Sequence, residues 1–483
     1  MTGTLLLGID AGQTVTKAVV FDASGHAVAS GRVDTTVETP RPGWYERDMT
    51  LLWQDAAAAV AACLRAAGVP ARRIAAIGLC GHNDGVYAVD AANQPVRPAI
   101  LATDSRAQRY AERFPDEVLA LTGQMPNAGS PAAVCAWLRD REPHTLERAR
   151  WLLFAKDWLR LCLTGEPATD PTEASASFTD MRTQDYSRAA LDLYGLTAIA
   201  GKLPRILPPA QVAGQVTATA AEATGLAAGT PVVTGAHDTD AAAFGMGATN
   251  PGAASIIMGT FAVNQVVAAD VRLDRRWLAR TFLRPGQWLH MSNSPSSASS
   301  LEWAVRMLGP HEPSGRPDFA AAIASACAVD PAGAPLFLPF LYGSASGASF
   351  TGLRGHHTAA HLIRAVLDGV VFSHRAHLDG LRNAFPFSGA ARLGGGGARS
   401  APWSQLLADA TELSLEVTDA VEAGARGAAA LAGIGLGWYS SLDDAVAATV
   451  RVTRRHEPHP TAVLRERIAW YGRHAAAMPD RPR

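Results

Sequence analysis

The stretch Leu5-Leu6-Leu7-Gly8-Ile9-Asp10-Ala11-Gly12-Gln13-Thr14-Val15-Thr16-Lys17-Ala18-Val19-Val20-Phe21 decides how the rest of the chain is read. Leu5–Ile9 and Ala18–Phe21 are apolar runs with the length and composition of buried strands. The turn between them carries a carboxylate, a glycine, two hydroxyls and a lysine. Glycine lets a phosphate approach the backbone closely, and N–H groups and small hydroxyls can then donate to it. Asp10, at the end of the first strand, has the chemistry to hold a magnesium ion through water. An ordinary hairpin with a polar turn fits the same residues, so the remaining sequence has to decide.

Outward from the turn, a third strand is expected over Ala27–Val33. A helix capped by Asp48 should run to Ala67 and stop at Gly68. Ile74–Leu79 reads as a buried strand ending in the loop Cys80-Gly81-His82-Asn83-Asp84-Gly85, and Val86–Val89 resumes as a strand. Ala99–Ala102 precedes Thr103-Asp104-Ser105-Arg106, and helices are expected over Ser105–Phe114, Pro131–Asp140 and Lys156–Leu163. Pro231–Thr234 leads into Gly235-Ala236-His237-Asp238-Thr239-Asp240. Strand, glycine loop, helix and strand in alternation define an α/β architecture with a mixed sheet, whose ligands gather beyond the strand ends.

The second half repeats the opening device. Ser255–Met258 is a strand, Gly259-Thr260-Phe261-Ala262 a turn, and Val263–Val267 a second strand. Further on, His361–Asp379 is helical. Four glycines, Gly394 to Gly397, stand between the run Ala391–Leu393 and a helix over Trp403–Leu413, where they allow close approach of a flat ring or a phosphate. A small-residue helix follows over Ala425–Leu436, in which Gly433 and Gly435 permit tight packing.

The bulk composition narrows the class. A chain of 483 residues exceeds one ordinary core, so two large domains are expected. Its net charge of -1 argues against nucleic acid as a main partner. Five scattered cysteines without a CxxC pair read as reduced, buried thiols of a cytoplasmic protein. No basic segment followed by an apolar one opens the chain, and no apolar run reaches the roughly 20 residues needed to span a bilayer. A membrane partner is therefore not expected.

Taken together, these motifs resemble the FGGY carbohydrate kinases nearly end to end. Ala348-Ser349-Phe350-Thr351-Gly352-Leu353 followed after seven residues by His361-Leu362-Ile363-Arg364-Ala365-Val366-Leu367-Asp368 fits one family signature at every constrained position. Gly129–Leu138 meets the other in part, with Val134 where the family usually has lysine. Asp157-Trp158-Leu159, Thr169-Asp170 and Glu173-Ala174-Ser175 follow the family's middle, and Gly394–Ser400 its adenine-side motif.

The resemblance implies two actin-like (ribonuclease H-like) domains, an N-terminal sugar domain over 1–245 and a C-terminal nucleotide domain over 246–483, with ATP in the cleft between them. It implies that Asp238 is the base that deprotonates the sugar hydroxyl, with Asp240 as its rival, and that Asp10 and Asp238 share Mg²⁺ largely through water. Gly12, Gln13, Thr14 and Lys17 are then expected at the phosphates, joined by Gly259 and Thr260. Gly396, Gly397 and Ser400 are expected at the adenine. The substrate loops are Gly81–Gly85 and Thr103–Arg106, with His82, Asn83, Asp84 and Asp104 as the hydroxyl-reading groups.

Two cues to the substrate diverge. Gly-Asp-Gly-like chemistry at Asp84 resembles erythritol kinases, whereas Pro42–Asp48 and Ala99–Ala107 resemble L-xylulose kinases. The expected partner is thus a small ketose or polyol, L-xylulose first and erythritol or another tetritol or pentitol second, with a homodimer as a candidate assembly. A non-catalytic actin-like ATP-binding protein would need the phosphate turns but neither Asp238 nor polar substrate loops. A dinucleotide oxidoreductase would need GxGxxG directly after the first strand, which Asp10–Thr14 does not supply. A sugar-sensing repressor would need a DNA-binding helical module before the first strand.

Overall fold

The computed structural model describes residues 4–342 and 347–477. Two compact units emerge. Unit 1 comprises 1–249, 269–289 and 422–450, and unit 2 comprises 250–268, 290–421 and 451–483. Unit 1 thus takes up 246–249, 269–289 and 422–450, which a division at 245/246 assigns to the C-terminal half.

Strand Leu5–Ala11 lies at the centre of unit 1. It pairs antiparallel with Val15–Phe21 and parallel with Ile74–Gly81. The strand order is Val212–Gln215, Pro231–Val233, Ile74–Gly81, Leu5–Ala11, Val15–Phe21, Ala27–Asp34. The central strand is apolar up to Asp10 because both its faces are covered. Leu5, Leu7, Ile9 and Ala11 join the core formed with helix Met49–Ala67. On the other face Gly8 and Gly78 admit helix Ala423–Gly435, since a Cβ would lie 1.9 Å from the Ala425 carbonyl oxygen and 1.8 Å from that of Ala428. Asp48 caps helix Met49–Ala67 by accepting from Thr50 N and Leu51 N, and Gly68 ends it at φ 60°, as the sequence predicts.

Sheet register gathers the polar strand ends. Asp10 lies opposite Cys80, and Ala236 pairs with the same Cys80; Ala11 and His237 both pair with Gly81. Gly235 permits this join: its φ is 82°, and a Cβ there would stand 2.1 Å from the Leu79 carbonyl oxygen.

Unit 2 repeats the hairpin. Ala254–Met258 pairs antiparallel with Ala262–Ala268 and parallel with Ala391–Gly394, which is followed by Leu415–Thr418 and Val452–His456. The 26-residue helix Ala359–Ala384, with a capping box between Thr358 and His361, buries Ile363, Val366 and Val370 in this unit's core.

Three expectations need correction. Helix Ser105–Phe114 shrinks to Gln108–Ala111, because the Asp104 carboxylate captures both the backbone N and the guanidinium of Arg106 and holds that stretch as a loop. Helix Trp403–Leu413 lies two residues earlier, at Ala401–Thr411, where Ser400 caps it; Asp238 and Asp240 stand in the first turn of helix Asp238–Gly245. The cysteines are not all buried: Cys63, Cys80 and Cys135 are, Cys162 is half-buried and Cys327 is exposed.

Candidate active site

The polar end of the unit 1 sheet carries Asp10, the His82–Gly85 loop and His237–Asp240. His237 organises it. Its backbone N donates to Thr172 Oγ1 at 2.8 Å, its Nε2 lies 3.1 Å from Asp238 Oδ1, and its Nδ1 lies 2.9 Å from Asp240 Oδ2. Burial opposes a charge on this imidazole, yet Asp238 and the bond to Asp240 push its pKa up to about 10. For Asp238, burial alone would raise the carboxyl; the His237 charge and hydrogen bond outweigh it and hold the group below its ordinary value. Asp240 is raised, burial being the main cause. Exposure separates the two rivals. The Asp238 side chain is 31% exposed and can meet a ligand, while that of Asp240 is at 0%.

Asp10 is pushed up to about 7, first by burial and then by the negative charge of Asp238. A carboxyl raised by burial and by a neighbouring carboxylate, beside one that stays ionised, is a fit donor set for a hard divalent cation. Gly424, in the first turn of helix Ala423–Gly435, belongs to the same corner: a Cβ there would lie 2.8 Å from Asp10 Oδ2. Among the described residues no group of three or more His, Cys, Asp or Glu is arranged to ligate a metal.

The turn after Asp10 is braced from below. Gly12 N donates to Val15 O at 3.1 Å, Thr35 N to Thr14 O at 2.8 Å, and Thr35 Oγ1 to Gln13 O at 3.0 Å. The Arg47 guanidinium also donates to Gln13 O. Thr14 is exposed, and Gly12 and Gln13 are half-buried. Lys17 is paired with Glu422 at 2.7 Å.

In the Gly81–Gly85 loop, burial and the Arg47 charge lower His82 to about 4. Its neutral Nε2 faces Arg47 Nη1 at 3.4 Å and Tyr87 Oη at 3.2 Å. That network assigns the proton to Nδ1, which has no partner. Asn83 Nδ2 donates to Glu173 O at 3.4 Å, and Asp84, at φ 65°, accepts from Arg280. Asp104 is apart from these. Its carboxylate accepts from Tyr45 N at 2.7 Å and three times from Arg106, so it holds the loop together.

Unit 2 brings its two glycine turns into contact. A Cβ on Gly395, whose φ is 85°, would lie 2.6 Å from Met258 C and O and 2.9 Å from Gly259 N. Gly396 and Thr260 are exposed beside this contact and Gly397 is buried under it. Ser400 caps helix Ala401–Thr411 by accepting from Trp403 N. Thr260, Phe261, Ser299, Trp303 and Tyr342 line an adjoining hollow.

Several site residues escape sequence reading. Arg47, Glu173, His237, Arg280 and Gly424 lie far apart in the chain, and no local spacing singles them out. Arg47, Glu173 and His237 fall inside motifs quoted from the sequence, without a role of their own, and nothing in the sequence points to Arg280 or Gly424.

A mixed sheet with a glycine turn between its first two strands recurs in the two units. The chain belongs to the FGGY family of carbohydrate kinases: residues 5–245 match the family's N-terminal domain and residues 254–436 its C-terminal domain. It is a sugar phosphotransferase. It is 33% identical to the L-xylulose/3-keto-L-gulonate kinase of Escherichia coli over 91% of this chain and 90% of that one. It is 31% identical to the erythritol kinase of Brucella abortus, over 92% and 90%. The crystal structure of a xylulose kinase from Rhodospirillum rubrum, 28% identical, superposes with a TM-score of 0.87 over 98% of both chains. Among the described residues no helix is long and apolar enough to cross a membrane.

Proposed function

We propose that the protein transfers the terminal phosphoryl group of ATP to a primary hydroxyl of a small ketose, L-xylulose, with Asp238 as the general base. The observation that carries this reading is the partly exposed Asp238 carboxylate, kept ionised by His237 at the polar end of the sheet. A base of this kind accepts the hydroxyl proton as the oxygen attacks phosphorus. Residues 1–245, with the segments 269–289 and 422–450 that return to the same unit, serve sugar binding, and the rest of 246–483 serves nucleotide binding in this account.

Gly12, Gln13, Thr14 and Lys17 on unit 1 attend the phosphates, as do Gly259 and Thr260 on unit 2, while Gly396, Gly397 and Ser400 attend the adenine. Asp10 and Asp238 hold Mg²⁺ through its waters. The ion, when bound, neutralises charge on the phosphates. His82, Asn83 and Asp84 read the sugar hydroxyls, His82 through its free Nδ1–H. Asp104 supports them by fixing Arg106 and the Tyr45 backbone.

The name borne by the Escherichia coli relative favours L-xylulose. Asp84, set in a glycine-flanked loop like that of erythritol kinases, supports erythritol or another small polyol as the second reading. A coupled ADP-release assay over tetritols, pentitols and pentuloses tests it. L-xylulose should give the highest kcat/KM; erythritol in first place would transfer the assignment to the second reading.

A further inference from the structure

Arg280 stands at 4% exposure on strand Leu278–Thr281. The backbone on either side of it is tethered inside unit 1: Ala279 N donates to Gly123 O at 2.8 Å and Thr281 N to Ser175 Oγ at 3.3 Å. These anchors fix the strand and direct the intervening side chain inward. Its Nη2 lies 3.2 Å from Asp84 Oδ1. Its Nε and Nη1 are buried and have no hydrogen-bond partner. The charge of this guanidinium is felt at both His237 and Asp240, so it stands close to the proposed base.

A buried cation with two unmade donors is unfavourable, because each donor has left bulk water without gaining a protein partner. The loop facing it is strained in the same place. Asp84 is a non-glycine residue at φ 65°, and Gly85 is at φ 76°, where a Cβ would lie 2.2 Å from the Ile100 carbonyl oxygen. Unmade donors beside a strained, over-determined loop mark a surface completed by a ligand. The chemistry of that ligand follows from the charges. Asp84 already balances Arg280, so the remaining donors suit neutral oxygens, hydroxyl or ketone, better than a second carboxylate.

We propose that Arg280 determines acceptor specificity by donating from Nε and Nη1 to two oxygens of the sugar, away from the hydroxyl that is phosphorylated, while Nη2 remains on Asp84. This inference rests on the reading of unit 1 as the acceptor site. Arg280 touches substrate in this account and takes no part in proton transfer.

The test compares wild type and Arg280→Lys on the best acceptor of the panel and on its mono-deoxy analogues. Arg280→Lys should raise KM for the parent sugar by about 10- to 100-fold, the worth of hydrogen bonds from a charged donor, with KM for ATP unchanged. In wild type, at least one deoxy analogue should lose tenfold or more in kcat/KM. In Arg280→Lys that same penalty should largely vanish, because the contact is already gone. A structural role alone would lower activity on parent and analogue equally and leave the penalty intact, which would overturn the proposal. Should the variant fail to fold, the wild-type series decides alone: no analogue remote from the phosphorylated end losing tenfold overturns it. Failure of L-xylulose as acceptor moves the test to whichever sugar turns over, so the two readings fail separately.

Discussion

His237 Nε2 stands 3.1 Å from Asp238 Oδ1 while its Nδ1 stands 2.9 Å from Asp240 Oδ2. One imidazole therefore faces two carboxylates of opposite character, one partly open and held low, the other sealed and raised by burial. The charge on His237 keeps the open carboxylate ready to take a proton across the neutral range.

Replacing His237 removes that bias. In His237→Gln the Asp238 carboxyl loses its cationic neighbour, so its pKa rises. The acid limb of the kcat/KM profile should move to higher pH by about one unit or more. The profile of wild type against variant checks this, and an unmoved acid limb would detach His237 from the base.

Gly424 confines Asp10 from the other side. A methyl group at this position meets Asp10 Oδ2 at 2.8 Å. Gly424→Ala should depress kcat and weaken the dependence on Mg²⁺ with little change in KM for the sugar. Gly78→Ala forces helix Ala423–Gly435 off the sheet, because a Cβ there would fall 1.8 Å from the Ala428 carbonyl oxygen. It should destabilise the protein by about 1–3 kcal/mol or more, as overpacking does. Kinetics with varied Mg²⁺ and urea unfolding separate the two effects.

His374 in unit 2 makes the fold sensitive to acid. Burial first, then the neighbouring His377, lowers it to about 3, and its Nδ1 lies 2.7 Å from Asn264 Oδ1. A histidine whose folded pKa is depressed contributes stability that is fully present above 6.5 and is lost progressively as pH falls from there to about 3. Between these values the penalty grows by about 1.4 kcal/mol per pH unit. Urea unfolding at pH 7, 5 and 4 should show a steeper loss for wild type than for His374→Gln.

The opening hairpin, the cap at Asp48, the stop at Gly68 and the echo at Ser255–Val267 were legible because each is a local matter of apolar period and turn chemistry. Asp238 stands out in the sequence only through the Gly235-Ala236-His237-Asp238 motif that resembles the family's, and Gly235 takes the positive φ of the strand-to-helix join. The loop at Asp104–Arg106 was misread as helix because its conformation is set by Asp104, Glu46 and the Trp44 ring, 4.0 Å from the Arg106 guanidinium. Arg280 was invisible for a similar reason. It is one of four arginines between residues 275 and 284, and only the tertiary fold buries it against Asp84 while Arg275 and Arg276 stay exposed. The return of 422–450 to unit 1 is likewise a tertiary event; the small residues of its helix announced close packing but not the partner.

The most direct measurement is phosphoryl transfer by Asp238→Asn under saturating ATP, Mg²⁺ and acceptor, with nucleotide binding followed by calorimetry. Turnover should fall by about 10²- to 10⁴-fold, the range for loss of a general base, with nucleotide affinity retained. Turnover close to wild type in this variant would contradict the account.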